Sequence, residues 1–172
     1  MLYCVEYRML SRILPTIVLL LFLCTCGNDT GSGPLAPDFL LKDMAGNKVT
    51  LKQYRGKVVL LDFWATWCPP CRAAVPDLVA LQTKYEKELV ILGISMDSPV
   101  RVNDERLKRF GEKLKINYPI IRYDLHVVEN YFGDKAPSLP TVYVIDRNGR
   151  VRDRLEGHDP KALTQSLKGL LS

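Results

Sequence analysis

Along this chain, short runs of nearly unbroken apolar residues alternate with longer segments in which apolar residues recur every three or four positions. Residues 57–64 and 88–96 are the clearest runs, and such runs are typical of central strands that are buried on both faces. Residues 69–85 and 104–114 have the spacing of amphipathic helices, and Pro76 is expected to bend the first of them. The alternation of strand and helix predicts an α/β protein built around parallel strands.

Shorter patterns surround these central elements. Residues 38–41 and 48–51 flank Gly46-Asn47, which predicts a β-hairpin ahead of the first central strand. Residues 118–123 are expected to form a short strand, and residues 126–132 a short helix. These pieces add a hairpin at the start of the domain and an αβ unit in its middle.

The end of the chain is predicted to be a second hairpin followed by a helix. Residues 141–146 and 150–155 have the composition of strands, and Asn148-Gly149 between them favours a tight turn. Asp159 followed by Pro160 is the pattern of a helix N-cap and first helical position. The sheet is therefore expected to finish with antiparallel strands and a covering helix.

Composition supports a single folded domain. Of the 172 residues, 47% are hydrophobic and 25% are charged, which suffices for one sizeable core and is too ordinary for a disordered chain. The formal net charge is +5, with basic and acidic residues mixed along the chain and no basic tract. This distribution argues against a nucleic-acid-binding protein.

The N-terminal segment differs from the rest and is predicted to be an export signal. Residues 1–26 carry two arginines ahead of the apolar run 13–23, which is shorter than the roughly 20 residues of a bilayer-spanning helix. The sequence Leu23-Cys24-Thr25-Cys26 resembles a bacterial lipoprotein processing box in which Cys26 is the lipidated residue. Ordinary cleavage and an uncleaved N-terminal membrane anchor are the alternatives.

The segment that follows is predicted to be a flexible tether. Residues 27–34 are rich in glycine and small polar residues, and residues 35–172 are left as the folded domain. A tether of this length would hold the domain near a membrane surface if the N-terminus stays anchored. The predicted location is extracytoplasmic, in the periplasm or at the outer face of the cell membrane.

Two cysteines carry the candidate chemistry. Cys68 and Cys71 are separated by Pro69 and Pro70 and lie at the predicted start of a helix. Thiols at this spacing can close a disulfide, and the free N–H groups and dipole of a helix N-terminus favour a thiolate. This is the chemistry of dithiol–disulfide exchange. Because prolines have no N–H to donate to the Cys68 sulfur, its thiolate is expected to be weakly stabilised, which favours a reductant.

The same cysteines exclude other classes of protein. Cys68 and Cys71 are the only cysteines of the predicted domain, which excludes a structural disulfide framework. A closed zinc site requires four ligands, and only His126 and His158 could join the pair. Haem attachment requires His directly after the second cysteine, where this chain has Arg72. No metal site is predicted.

Asp62 is the one acidic residue within the first central run. A carboxylate in such a strand is costly unless it is solvated, paired or protonated, because desolvation disfavours the charged form and raises the pKa. Asp62 is therefore a candidate proton carrier. The alternative is an Asp near the end of the strand, in contact with solvent.

A longer pattern around the cysteines resembles a known family. The stretch Asp62-Phe63-Trp64-Ala65-Thr66-Trp67-Cys68-Pro69-Pro70-Cys71 resembles the active-site segment of the thioredoxin superfamily. With Pro76 five residues after Cys71, and Leu139-Pro140 ahead of an apolar strand, the chain resembles the TlpA/ResA-like extracytoplasmic thiol–disulfide oxidoreductases over roughly residues 37–171. The resemblance implies a thioredoxin-like α/β fold with an N-terminal β-hairpin and a central αβ insertion.

The resemblance also implies roles for individual residues. Cys68 would be the exposed nucleophile, and Asp62 would lie behind the disulfide and deprotonate Cys71 through a water molecule. The Leu139-Pro140 bond would be cis, which leaves the backbone of Leu139 free to pair with an extended client peptide. The residues expected to contact a client are Trp67, Pro69, Pro70, Leu139 and Pro140.

By the same resemblance, the activity is reduction of protein disulfides outside the cytoplasm, with no cofactor besides the redox-active disulfide. The implied partners are client proteins, for example apocytochrome c in cytochrome c maturation, and a membrane protein that supplies electrons. Two alternatives come from other classes: a copper-binding protein of thioredoxin-like fold that delivers metal, and a peroxidase of the peroxiredoxin type. Assays of disulfide reduction, copper binding and peroxide consumption separate the three.

Overall fold

The structure, a computed structural model, describes residues 33–171. The predicted export signal with Cys26, and the predicted tether up to residue 32, lie outside the described residues. Among the helices that are described, none is long and apolar enough to cross a membrane.

The centre of the fold is a five-stranded mixed sheet with the strand order β5-β4-β3-β6-β7. Its strands are β3 (Val58–Trp64), β4 (Leu89–Ser95), β5 (Ile120–Arg122), β6 (Thr141–Ile145) and β7 (Val151–Glu156). Strands β3, β4 and β5 run parallel, and β6 pairs antiparallel with both β3 and β7. The two apolar runs are interior strands as predicted, and every residue of β3 and β4 is buried.

Helices and a separate hairpin surround this sheet. The helices are α1 (Pro69–Lys84), α2 (Asp104–Lys113), α3 (Leu125–Phe132) and α4 (Pro160–Leu167). The predicted hairpin is present as β1 (Leu40–Lys42) and β2 (Lys48–Thr50), which pair antiparallel ahead of a single 3₁₀ turn. The predicted types of all these elements are confirmed, with shifts of a few residues at their ends.

Side-chain caps explain where three of the helices begin. Asn103 accepts a hydrogen bond from the Arg106 N–H at the start of α2. Asp124 and Asp159 accept bonds from backbone N–H groups of the first turns of α3 and α4. Each carboxylate or amide oxygen satisfies N–H groups that have no partner within the helix.

The alternation of side chains along β3 divides the core into two parts. Val59, Leu61 and Phe63 pack on the face that also carries the hairpin and α3. Val58 and Leu60 pack on the opposite face against α1 and α4. By the same period of two, Asp62 and Trp64 lie on the face covered by α1, the helix that carries the cysteines.

Candidate active site

The cysteines lie at the start of α1, shortly after the end of β3. Cys68 is the N-cap of the helix, and its sulfur is joined to that of Cys71 with an S–S distance of 2.02 Å and a Cα–Cα distance of 5.3 Å. The Cys71 N–H donates to the Cys68 sulfur across 3.2 Å. The sequence-predicted pair is therefore brought together in the disulfide form, with a helix N-terminus directed at the Cys68 sulfur.

Pro69 and Pro70 occupy the first two positions of α1 and are exposed. Neither has an N–H, so the Cys71 N–H is the first helical donor that can reach the Cys68 sulfur. Within the described chain, the Cys68 sulfur accepts one backbone hydrogen bond, from the Cys71 N–H. It lacks the two donors that residues other than proline would offer at the first two helix positions.

The exposure of the cysteines differs from the expectation. Cys68 was expected to be the exposed thiol, but Cys68 and Cys71 are each only 3% exposed in the disulfide form. Both pack in a cluster with Trp64, Ala65 and Leu107, against which Leu139 also lies. The exposed residue at this position is Trp67, at 64%. Burial by residues distant in sequence, which the motif does not encode, explains the difference.

A buried carboxylate at the end of β4 holds the turn that leads to Cys68. Asp97 accepts hydrogen bonds from the Thr66 N–H at 2.9 Å and from the Thr66 hydroxyl at 2.6 Å. The Ser95 hydroxyl donates to the same carboxylate at 2.9 Å. Since Thr66 precedes Trp67 and Cys68, these bonds fix the backbone just ahead of the disulfide. Sequence reasoning missed Asp97 and Thr66 as site residues.

Asp62 is buried on the face of β3 that packs against α1, at 3% exposure, so the solvent-exposed alternative is wrong. Burial raises the pKa of Asp62 from 3.8 to about 7. Its Oδ1 atom has no hydrogen-bond partner within residues 33–171. A carboxyl with this pKa can be protonated or ionised near neutral pH, as a proton carrier requires.

A glycine makes room around Asp62. Gly93 is its register partner on β4, and a Cβ atom at this position would lie 3.0 Å from Trp64 Nε1 and 3.2 Å from Tyr118 Cε2. Trp64 Nε1 is a second buried polar atom without a partner in the described chain. The pKa of Tyr118 is raised by burial and, to a smaller extent, by the charge of Asp62. Trp64 and Tyr118 are thus the aromatic neighbours of Gly93, and Tyr118 lies near enough to Asp62 for the charge of the carboxyl to influence its phenol.

The second predicted part of the site precedes β6. The Leu139–Pro140 bond is cis, as the resemblance implied. Leu139 is half-buried against the cluster that contains both cysteines, while the Pro140 carbonyl accepts a hydrogen bond from the Gly157 N–H at 2.8 Å. The loop is thus tied to the end of β7 and lies beside the disulfide.

The two histidines do not join the cysteines in a metal site. His126 is exposed on α3, and His158 Nε2 lies 2.9 Å from Asp77 Oδ2 of α1. His158 and Asp77 line a small apolar cleft with Pro140. Across residues 33–171, no group of three or more His, Cys, Asp or Glu side chains could hold a metal ion.

Comparison with known proteins agrees with this geometry. A family model described as the AhpC/TSA family matches residues 33–154. The thiol-disulfide oxidoreductase ResA of Geobacillus thermodenitrificans is 34% identical, and the match covers 95% of this chain and 98% of that protein.

Solved structures of thioredoxin-like proteins are also similar to this chain. One named as thiol:disulfide interchange protein DsbE from Chlorobium tepidum superposes with a TM-score of 0.70 at 30% identity, covering 81% of this chain and 97% of the other. The pneumococcal exposed lipoprotein thioredoxin of Streptococcus pneumoniae gives 0.63 at 29% identity, covering 78% and 100%. The family match and the near full-length identity to a ResA protein show that this chain belongs to the AhpC/TSA family and is a ResA-like thiol–disulfide oxidoreductase of thioredoxin-like fold.

Proposed function

We propose that the protein reduces the disulfides of client proteins outside the cytoplasm and is itself oxidised at Cys68 and Cys71. The observation that carries this proposal is the disulfide at the N-terminus of α1, with the buried carboxyl of Asp62 on the sheet face that packs against the same helix. The cysteines supply two electrons, and a carboxyl whose pKa is about 7 can accept a proton near neutral pH.

The reaction has two exchange steps. The Cys68 thiolate attacks the client disulfide, so a Cys68–client S–S bond forms while the client S–S bond breaks and one client thiolate leaves. Cys71 then gives its proton to Asp62 and attacks the Cys68 sulfur, which closes the protein disulfide and releases the second client thiolate. The two protons lost by the cysteines balance the two that the client thiolates take up.

The client is proposed to dock beside the disulfide in extended form. Leu139 lies against the cysteine cluster, and its cis bond to Pro140 precedes strand β6. The backbone of Leu139 would pair with the client, and Trp67, Pro69 and Pro70 would contact it from the other side of the cysteines. All three of these side chains are exposed.

The direction of electron flow is proposed from the hydrogen bonding of the Cys68 sulfur. Within residues 33–171 the Cys71 N–H is the only donor to this sulfur, and Pro69 and Pro70 have no N–H to add. A thiolate with fewer donors is less stabilised, and destabilising the reduced form makes the pair a stronger reductant.

The cellular setting is also proposed. An export signal over residues 1–26, with Cys26 lipidated, would place the enzyme in the periplasm or at the outer face of the cell membrane. The similarity to a protein named as an exposed lipoprotein supports this location. Reduction there requires a membrane protein that returns two electrons to the disulfide, and apocytochrome c is the proposed client.

The deciding measurement is the reduction potential of the Cys68–Cys71 pair, equilibrated against dithiothreitol and glutathione buffers. A value at or below about −250 mV supports a reductant, and a value above about −180 mV contradicts it and indicates a disulfide donor or isomerase. Cys71→Ser is expected to trap a mixed disulfide with an oxidised client. The matched variant Cys68→Ser is expected to trap none, because it lacks the attacking thiolate.

Separate assays address the client and the alternative activities. Loss of haem-bearing cytochrome c in a deletion strain, restored by the wild type and not by Cys71→Ser, supports the proposed client, and normal cytochrome c contradicts it. A peroxidase would oxidise its thiols faster with rising peroxide concentration, and a copper carrier would bind copper stoichiometrically. Either result without disulfide reduction would replace the proposal.

A further inference from the structure

Next to the disulfide lies a cleft that the exchange steps do not use. Trp67 and the loop after β4 form this cleft of about 350 Å³, called here the Trp67 cleft. Its lining residues are Trp67, Met96, Asp97, Ser98, Arg101 and Val102. Because Trp67 is bonded directly to Cys68, a peptide segment in the cleft lies next to the attacking residue.

The Trp67 cleft has apolar side chains in its lining. Trp67 is 64% exposed, and the half-buried side chains of Met96 and Val102 line the cleft with it. Large apolar side chains that stay exposed beside a reactive group are typical of contact sites for a partner, and Trp is prominent among residues that dominate binding energy. The position of this lining fits a segment of the client that flanks its disulfide.

The accessible charge of the cleft is positive. Asp97 is fully buried and directs its oxygens inward to Thr66 and Ser95. Arg101 is exposed and forms no ion pair within the described part of the chain. Arg106 donates to the Arg101 carbonyl at 3.0 Å, which brings a second guanidinium to the same loop.

The nearby carboxylates of α2 do not neutralise this charge. Asp104 is paired with Arg122 at 2.9 Å, and Glu105 is paired with Arg109 at 3.7 Å. Each acidic side chain at the start of the helix thus has a cation of its own. The Arg101 guanidinium stays available, and its planar set of donors matches a carboxylate.

We propose that the Trp67 cleft binds the client segment beside the disulfide under attack and selects clients with a Glu or Asp there, with Arg101 as the specificity-determining residue. This inference rests on the proposed reduction of client disulfides. An apolar client side chain lies on Trp67 and Val102, and the client carboxylate pairs with Arg101. The occupant is thus an acidic, partly apolar peptide segment.

Three disulfide-closed peptides test this selection. They share one sequence and carry Glu, Gln or Lys on the outer side of each cysteine. Rate constants for their reduction by the pre-reduced protein are measured at low and high salt. The Glu peptide is expected to react about two- to five-fold faster than the Gln peptide at low salt, as for an exposed ion pair, and the Lys peptide more slowly. High salt should bring the ratios close to one.

Variants identify the responsible cation. Arg101→Gln is expected to bring the Glu-to-Gln rate ratio to about one, and Arg101→Lys to retain much of it. Lys87→Gln is the matched control, because Lys87 is an exposed cation just before β4, at the opposite end of that strand from the cleft, and it is expected to keep the wild-type ratio. The ratio compares two peptides on the same variant, so a general loss of folded protein cancels.

The outcomes separate this inference from the proposed function. Equal rates for all three peptides, or an unchanged ratio in Arg101→Gln, overturn the inference and leave the reductase intact. Failure to reduce any peptide overturns the proposed function itself. Sedimentation that shows a dimer, with peptide reduction inhibited as protein concentration rises, would assign the cleft to a second copy of the chain and overturn the peptide site.

Discussion

The two faces of strand β3 differ in whether their buried polar groups have hydrogen-bond partners. On the face with Phe63, the rings of Tyr131, Phe132 and Tyr143 pack around it with centroids 4.9 to 6.0 Å away. The hydroxyls on this face have partners: Tyr131 donates to the Pro37 carbonyl and Tyr143 to the Tyr131 carbonyl. Across the described residues, no buried side-chain oxygen or nitrogen of this aromatic face lacks a hydrogen-bond partner.

The opposite face, called here the redox face, contains Asp62 and Trp64 beside Gly93. Asp62 Oδ1 and Trp64 Nε1 are buried and have no hydrogen-bond partner in residues 33–171. Uncompensated polar groups cost stability, and when they occur in a native structure they are often functional. One strand therefore carries paired polar groups on one side and the unpaired polar groups named above on the side of the cysteines, because its side chains alternate between the two faces.

The largest loss of stability is expected when a ring is removed from the aromatic face. Phe63→Ala removes a fully buried ring and should lower the free energy of unfolding by about 3–5 kcal/mol. Urea unfolding with the disulfide intact measures the loss. Phe63→Leu, which keeps more volume, should lose less. The reduction potential should stay unchanged because Phe63 faces away from the cysteines, and a loss below about 1 kcal/mol would contradict the assignment of this face.

On the redox face, by contrast, a substitution is expected to stabilise the fold. The pKa of Asp62 is raised from 3.8 to about 7. At a pH between these two values, the folded state therefore still holds a proton that the unfolded state has released. The carboxyl therefore destabilises the fold increasingly as pH rises from about 4 to 7. Asp62→Asn should stabilise it by about 2–4 kcal/mol at pH 8 and by little below pH 4.

Unfolding curves of Asp62→Asn at several pH values provide the measurement, with the exposed Asp134→Asn as control. A gain independent of pH would show that the charge of Asp62 is not the cause. The same variant should slow the attack of Cys71 and accumulate mixed disulfide with a client. Higher stability with slower release would link the uncompensated carboxyl to the proposed reaction.

A smaller effect is expected at the turn that leads to the disulfide. Thr66→Val removes a 2.6 Å hydrogen bond to the buried Asp97 and should cost about 1–3 kcal/mol of unfolding free energy. Thr66→Ser retains the hydroxyl and should recover most of it. Thr164→Val, which loses an exposed hydroxyl on α4, is the matched control. Equal losses at both threonines would refute a special role for the Asp97 contacts.

The smallest effect on stability is expected at Trp67. Because this side chain is 64% exposed, Trp67→Ala should change the free energy of unfolding by no more than about 0.5 kcal/mol. The rate of client reduction should nevertheless fall. Thermal or urea unfolding beside peptide kinetics tests both statements, and a large loss of stability would show that Trp67 belongs to the core.

Local patterns predicted much of the fold. The nearly unbroken apolar runs identified β3 and β4, and Asp159 followed by Pro160 identified the start of α4. These signals work because strand burial and helix capping depend on residues close in sequence. The cysteine pair was predicted for the same reason, since its spacing and its position at a helix start are local.

What the sequence determined by itself was the chemistry available: two thiols at a helix N-terminus, a carboxyl in a buried strand and a proline ahead of β6. The tertiary structure decided how that chemistry is surrounded. The pairing of β3 with β4 brings Asp97 to Thr66 and places Gly93 beside Asp62, and the crossovers bury Cys68 while Trp67 stays exposed. Contacts between distant segments arise only when the sheet is assembled, so no local pattern could predict them.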